Sequence, residues 1–121
     1  RMIDTPIEES YYENGRWTTS ERNASHLSQS ANPTESGNII IYGHNKESVL
    51  GNIRALTGGE IITLYTEDAK EFRYKITNII EVNPNQTDFL QPTTSETLTV
   101  YTCSGLLDSK RFIVRAEPLA L

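Results

Sequence analysis

The chain has 121 residues, enough for one compact domain with a single core and too few for two ordinary ones. Its net charge of −5 and scattered Lys and Arg residues exclude a basic phosphate-binding face, and with it a nucleic-acid partner. One cysteine excludes an internal disulfide framework, and with only His26 and His44 beside it a four-ligand Cys/His zinc site cannot be built, so neither metal nor cofactor is expected.

Hydrophobic residues make up 36% and charged residues 22%, the balance of a globular chain. The longest apolar run, Ile39-Ile40-Ile41-Tyr42, is far too short to cross a bilayer. A chain opening on Arg1-Met2 reads as trimmed, so a leader or membrane anchor ahead of it would have been removed.

Taken in order, the first third is irregular. Ile3 and Ile7 are placed to start one strand and Trp17-Thr18-Thr19 another, while the polar stretch 23–37, with Pro33 and Gly37, reads as an ordered loop containing a helical turn. The segment Asn38–Gly43 is predicted as a strand. After it, Val49, Leu50, Ile53 and Leu56 recur at near-helical spacing, which predicts one short helix or turn ended by Gly58-Gly59. Strands follow over 60–66 and Glu71–Val82, joined by a tight turn at Ala69-Lys70 after Glu67-Asp68. Within the second, Phe72, Tyr74 and Ile76 alternate with Arg73, Lys75 and Thr77, so one face is wet. The long connection 83–96 carries Pro84, Phe89, Leu90 and Pro92, unusually apolar for a solvated loop, and is expected to bind something. Strands over 97–103 and 110–116 complete an all-β chain, either a closed barrel or a sandwich.

Alternation along the last two strands isolates the chemistry. Leu98, Val100 and Thr102 share the core face, which leaves Thr97, Thr99, Tyr101 and Cys103 on the other. In the next strand Phe112, Val114 and Ala116 face the core and Arg111, Ile113 and Arg115 face away. Cys103 and Arg111 are thus expected to face one outer groove, whereas a structural cysteine would fall in register with Leu98 and Val100. His44 ends the strand Ile39-Ile40-Ile41-Tyr42-Gly43, where Gly43 permits an abrupt turn. Its plain alternative is a surface histidine after a turn, and His26 reads as a loop histidine.

A free thiol with a pKa of about 8.5 is only a few per cent thiolate at neutral pH and needs help to attack a carbonyl. Imidazole supplies that help or protonates a leaving amine, and a guanidinium fork holds a peptide carbonyl or a developing oxyanion. Arg111 takes the last role here. Its plain alternative is an exposed strand arginine paired with an acid, and Arg115 on the same face competes with it. With no buried acid evident to orient the imidazole, the Cys103/His44 pair is expected to hold only a minor thiolate–imidazolium fraction at neutral pH and to titrate as a coupled pair.

These residues carry a resemblance. The segment Thr97-Leu98-Thr99-Val100-Tyr101-Thr102-Cys103, followed by Arg111-Phe112-Ile113-Val114-Arg115-Ala116 and preceded by Tyr42-Gly43-His44, resembles a sortase. Thr99 to Cys103 matches that family's Thr-Leu-x-Thr-Cys signature with Val in place of Leu. Trp17, Ala24-Ser25-His26-Leu27, Gly37-Asn38-Ile39 and the Val82-x-Pro84 to Phe89-Leu90 pattern extend the match over nearly the whole chain.

The resemblance implies an eight-stranded closed β-barrel forming a single catalytic domain over residues 1–121, with one or two short helices. It implies a cysteine transpeptidase held at the extracellular face of a bacterial cytoplasmic membrane by an N-terminal anchor. The implied substrates are secreted proteins with a C-terminal Leu-Pro-x-Thr-Gly-like sorting signal, and the acceptor is an amine of a peptidoglycan precursor or a pilin lysine. Cys103 would attack the Thr carbonyl, His44 would move the proton, and Arg111 would steady the substrate or oxyanion. The substrate groove would be lined by Tyr42, Val82, Pro84, Phe89 and Tyr101.

Two features depart from better-known members. The loop from Ser104 to Lys110 is short, so selectivity is expected to rest on the connection before the cysteine strand. Glu8, Glu9, Glu13 and Glu81 show no spacing that makes an oxygen cage, so calcium independence is expected. Two other readings remain on sequence grounds: a noncatalytic β-barrel that binds extended peptides, and a cysteine hydrolase that releases the acyl group to water.

Overall fold

The computed structural model describes residues 6–10, 12–13, 16–17, 23–43, 53, 56–66, 69–104 and 109–119. Among the described residues nine strands run β1 Ile7–Ser10, β2 Tyr12–Glu13, β3 Arg16–Trp17, β4 Ala24–Leu27, β5 Asn38–Gly43, β6 Ile61–Tyr65, β7 Glu71–Val82, β8 Thr97–Ser104 and β9 Lys110–Pro118. A single 3-10 turn, Asp88–Leu90, interrupts the connection from β7 to β8.

The main sheet has seven strands in the order β1-β4-β5-β8-β9-β7-β6, and β2 pairs with β3 as a separate ribbon. The β1–β4 and β5–β8 pairs are parallel and the other pairs are antiparallel. All-β architecture is as expected, but the form is a curled seven-stranded half-barrel. Among the described residues no ladder joins β1 to β6, so they show a half-barrel and do not confirm the closed eight-stranded barrel that the resemblance implies.

The β-branched run of β5 is buried on both faces, as befits a strand in the middle of the sheet with a parallel partner. Ile39 and Ile41 enter the main core with Tyr74, Ile76, Leu98, Val100, Val114 and Ala116. Ile40 and Tyr42 enter a second cluster on the opposite face with Leu27, against which Leu90 and Tyr101 pack. The two faces of one six-residue strand thus serve two different layers.

Strand β7 alternates as its sequence predicts, with Tyr74 and Ile76 buried and Arg73, Lys75 and Thr77 exposed. Its register to β9 slips between Ile76 and Asn78, a bulge that lets so long a strand bend with the sheet. The preceding turn forms where expected: Ala69 adopts φ 66°, its N–H donates to the Thr66 carbonyl at 3.0 Å, and the Thr66 N–H donates to the Lys70 carbonyl at 3.0 Å. The helix expected between His44 and Gly58 falls largely outside the described residues. Of its apolar positions, Ile53 is buried in the main core and Leu56 packs against it.

Two expectations are corrected. Residues 24–27 form a fully buried strand between β1 and β5, where the polar composition of 23–37 reads as a loop. The polarity is tolerated because it is satisfied: the His26 ring lies 2.9 Å from Glu9 Oε2 through Nδ1 and 2.9 Å from the Ala31 carbonyl through Nε2. His26 is therefore a buried strand residue and not a loop histidine. Of the four apolar residues of the connection 83–96, Phe89 is buried and Leu90 half-buried, because the sheet face beneath them is itself apolar, while Pro84 and Pro92 are exposed.

Candidate functional site

Cross-strand register organises the face of the sheet opposite the main core into rungs. One rung aligns Val82 of β7, Arg111 of β9 and Cys103 of β8. The next aligns Ile80, Ile113, Tyr101 and Tyr42, and the one after it Asn78, Arg115, Thr99 and Ile40. The β5 ladder ends at Gly43, opposite Thr102, whose hydroxyl donates to the Gly43 carbonyl at 2.7 Å. This bond ties the end of β5 to the strand position just before Cys103. His44, the next residue in the chain, lies outside the described residues, as does the loop 105–108.

Register separates the two competing arginines. Arg111 stands directly opposite Cys103, half-buried, with Nη1 donating to the Lys110 carbonyl at 3.1 Å. Arg115 stands opposite Thr99, and its Nη2 donates to the Phe89 carbonyl at 2.7 Å. Four residues of strand at about 3.3 Å each separate the two positions, so only Arg111 shares the ladder step of Cys103.

Three of the expected groove residues converge. The Tyr42 and Tyr101 rings stack with centroids 5.6 Å apart, and Phe89 meets Tyr101 edge-on at 5.1 Å. Each such contact is worth about 1 kcal/mol beyond area burial. Burial raises the Tyr42 phenol pKa above its usual value, partly offset by a hydrogen bond with the Ser10 side chain. Val82 is half-buried opposite Arg111, and Pro84 is exposed in the connection, outside the aromatic cluster.

Residues that the sequence reading did not single out hold this wall in place. The Asn38 amide donates to the carbonyls of Phe89 at 2.8 Å and Gln91 at 3.0 Å, and its oxygen accepts the Thr99 hydroxyl at 2.6 Å. The available signal was Asn38, the polar residue that opens the run of isoleucines in β5; it and Thr99 are both buried. Beside Leu90 an open depression of about 340 Å³ is lined by Leu27, Ala31, Asn38, Ile40 and Pro92. Among the described residues no three His, Cys, Asp or Glu side chains gather as metal ligands. Glu8 accepts instead from Asn23, and Glu9 from Ser28 while contacting His26.

The comparisons agree on one family. A model of the sortase domain matches residues 2–119. Sortase A of Bacillus anthracis is 33% identical over 85 residues, covering 67% of this chain and 40% of that protein. A solved Clostridium perfringens sortase D5 transpeptidase is 31% identical with a TM-score of 0.71, over 80% of this chain and 62% of its own. A lid mutant of Corynebacterium diphtheriae sortase A shares the fold at a TM-score of 0.80 and 24% identity, over 97% of this chain and 64% of its own. The chain thus spans less than two thirds of the length of each of these relatives. A family model that spans almost every residue, with an arginine opposite the lone cysteine in the β8–β9 ladder, establishes that the chain belongs to the sortase family.

Proposed function

We propose that this domain is a cysteine transpeptidase that cleaves a Leu-Pro-x-Thr-Gly-like sorting signal and passes the acyl group to an amine. The observation that carries the reading is the Cys103–Arg111 pairing in a chain of this family. The Cys103 thiolate adds to the Thr carbonyl, and collapse of the tetrahedral adduct breaks the Thr–Gly C–N bond. His44 gives its proton to the departing amine, leaving a thioester on Sγ. An incoming amine attacks that thioester, yields its proton to His44 and releases the thiolate. Arg111 donates to the carbonyl oxygen as negative charge develops on it.

The donors are secreted proteins with a C-terminal sorting signal, and the acceptor is a peptidoglycan-precursor amine or a pilin lysine. The site of action is the outer face of a bacterial cytoplasmic membrane, reached through an N-terminal anchor. Tyr42, Tyr101 and Phe89, with Val82 and Pro84 at the margin, line the path of the extended donor peptide.

The test is incubation with a Leu-Pro-x-Thr-Gly peptide library, with and without an amine, followed by mass spectrometry beside Cys103→Ala. Transpeptidation products and a thioacyl adduct lost in Cys103→Ala are expected. Absence of both adduct and cleavage would leave a peptide-binding barrel, and cleavage indifferent to added amine would leave a hydrolase.

A further inference from the structure

Two side chains from different strands meet on one backbone atom. Asn38 of β5 donates from Nδ2 to the Phe89 carbonyl at 2.8 Å, and Arg115 of β9 donates from Nη2 to the same oxygen at 2.7 Å. A carbonyl has two lone pairs, so both acceptor sites of Phe89 are occupied. The Asn38 amide is itself oriented, since its oxygen accepts the Thr99 hydroxyl at 2.6 Å and its nitrogen also reaches the Gln91 carbonyl at 3.0 Å. Strands β5, β8 and β9 therefore all contribute to holding one turn.

The turn needs that hold. Asp88–Leu90 is a three-residue 3-10 helix closed by bonds from Leu90 N–H to the Thr87 carbonyl and from Gln91 N–H to the Asp88 carbonyl. Such short internal bonding shapes a turn but does not locate it over a sheet. Asn38 alone would supply a neutral anchor. Arg115 adds a charge-assisted donor at a cost, because its Nε is buried with no hydrogen-bond partner among the described residues. What that outlay secures is local: the Phe89 ring is held edge-on to Tyr101, which stacks on Tyr42 and lies two residues before Cys103.

We infer that Arg115 and Asn38 are positioning residues that set the distance between the connection 83–96 and the β5–β8 floor, and hence the width of the groove that receives the acyl-donor peptide. The inference rests on the transpeptidase reading for its substrate. Arg115 acts through Phe89 and touches no reacting atom, whereas Arg111 acts at the carbonyl under attack. The two arginines of β9, four residues apart, divide the work: one serves binding and the other chemistry.

The test compares wild type, Arg115→Met, Arg115→Lys and Asn38→Ala, with thermal unfolding confirming that each folds. Amide exchange is read first, without any peptide. Arg115→Met is expected to speed exchange over 87–91 about tenfold, the scale of one lost charge-assisted bond, with Arg115→Lys recovering part of the protection. Steady-state transpeptidation is then expected to show a KM for the donor peptide raised about tenfold, with kcat and the rate of Cys103 alkylation within about twofold of wild type.

Unchanged exchange over 87–91 in Arg115→Met overturns the inference, as does a fall in kcat at constant KM. Exchange that rises equally across β5 and β9 marks general loosening and also overturns it. Faster exchange confined to 87–91, in a protein whose wild type turns over no peptide, supports the clamp and removes the transpeptidase reading instead.

Discussion

Cys103 and Arg111 occupy the same step of the β8–β9 ladder, and the Thr102 hydroxyl beside them holds the Gly43 carbonyl at the end of β5 at 2.7 Å. Positions on three adjacent central strands are thereby held together at one end of those strands.

If Arg111 stabilises the oxyanion, Arg111→Ala lowers kcat by roughly 10²–10³-fold with little change in KM. If Cys103 is the acyl carrier, Cys103→Ala is expected to form no thioacyl adduct at all. Single-turnover and steady-state assays with one donor peptide separate these effects. A tenfold rise in KM at full kcat in Arg111→Ala would place that arginine in ground-state binding.

Thr102→Val removes the bond to Gly43 while nearly conserving volume. Because Thr102 is only 1% exposed, the carbonyl it leaves has little access to water, and a loss of about 1–2 kcal/mol is expected. A shift in urea midpoint at constant m measures it. A midpoint equal to wild type would mean that the Gly43 carbonyl finds another donor.

Tyr74 predicts the alkaline limit of stability. Burial, then its hydrogen bond to Glu96 at 2.6 Å and the charge of that carboxylate, push its phenol pKa well above the usual value. The folded protein thus favours the neutral phenol. Its contribution is complete below the unfolded value of about 10 and is lost as pH rises from there through the higher folded value. The smaller upward displacement of Tyr42 acts in the same direction. Urea midpoints between pH 9 and 11 are expected to fall less steeply in Tyr74→Phe than in wild type, and parallel slopes would refute the assignment.

Leu98 has no exposed surface and packs in the main core with Val100, Ile39 and Val114, so Leu98→Ala is expected to cost about 2–5 kcal/mol. Tyr65, on the outermost strand of the sheet, is 69% exposed, and Tyr65→Ser is expected to stay within about 0.5 kcal/mol. Thermal unfolding of the pair checks the contrast. Equal shifts would contradict this division of core from surface.

Local pattern was enough where burial is one-sided or an apolar run is continuous. Strand β7 keeps its alternation up to the bulge after Ile76, β5 follows its run of isoleucines, and β8 and β9 extend the predicted segments by one and two residues. The polar strand β4 escaped because Ser25 and His26 break any apolar period. His26 becomes tolerable inside only when Glu9 and Ala31 arrive as partners.

The sequence by itself determined the alternating strands, the expectation that Cys103 and Arg111 share a face, and the turn at Ala69, since period-two burial and turn chemistry act over a few neighbouring residues. Tertiary structure alone decided the sheet order, the curl of the seven strands, and the separation of Arg111 from Arg115. It alone brought Asn38 to the Phe89 carbonyl, 51 residues away in the chain. Hydrogen bonds of that reach depend on how the strands are ordered, and no local period encodes the order.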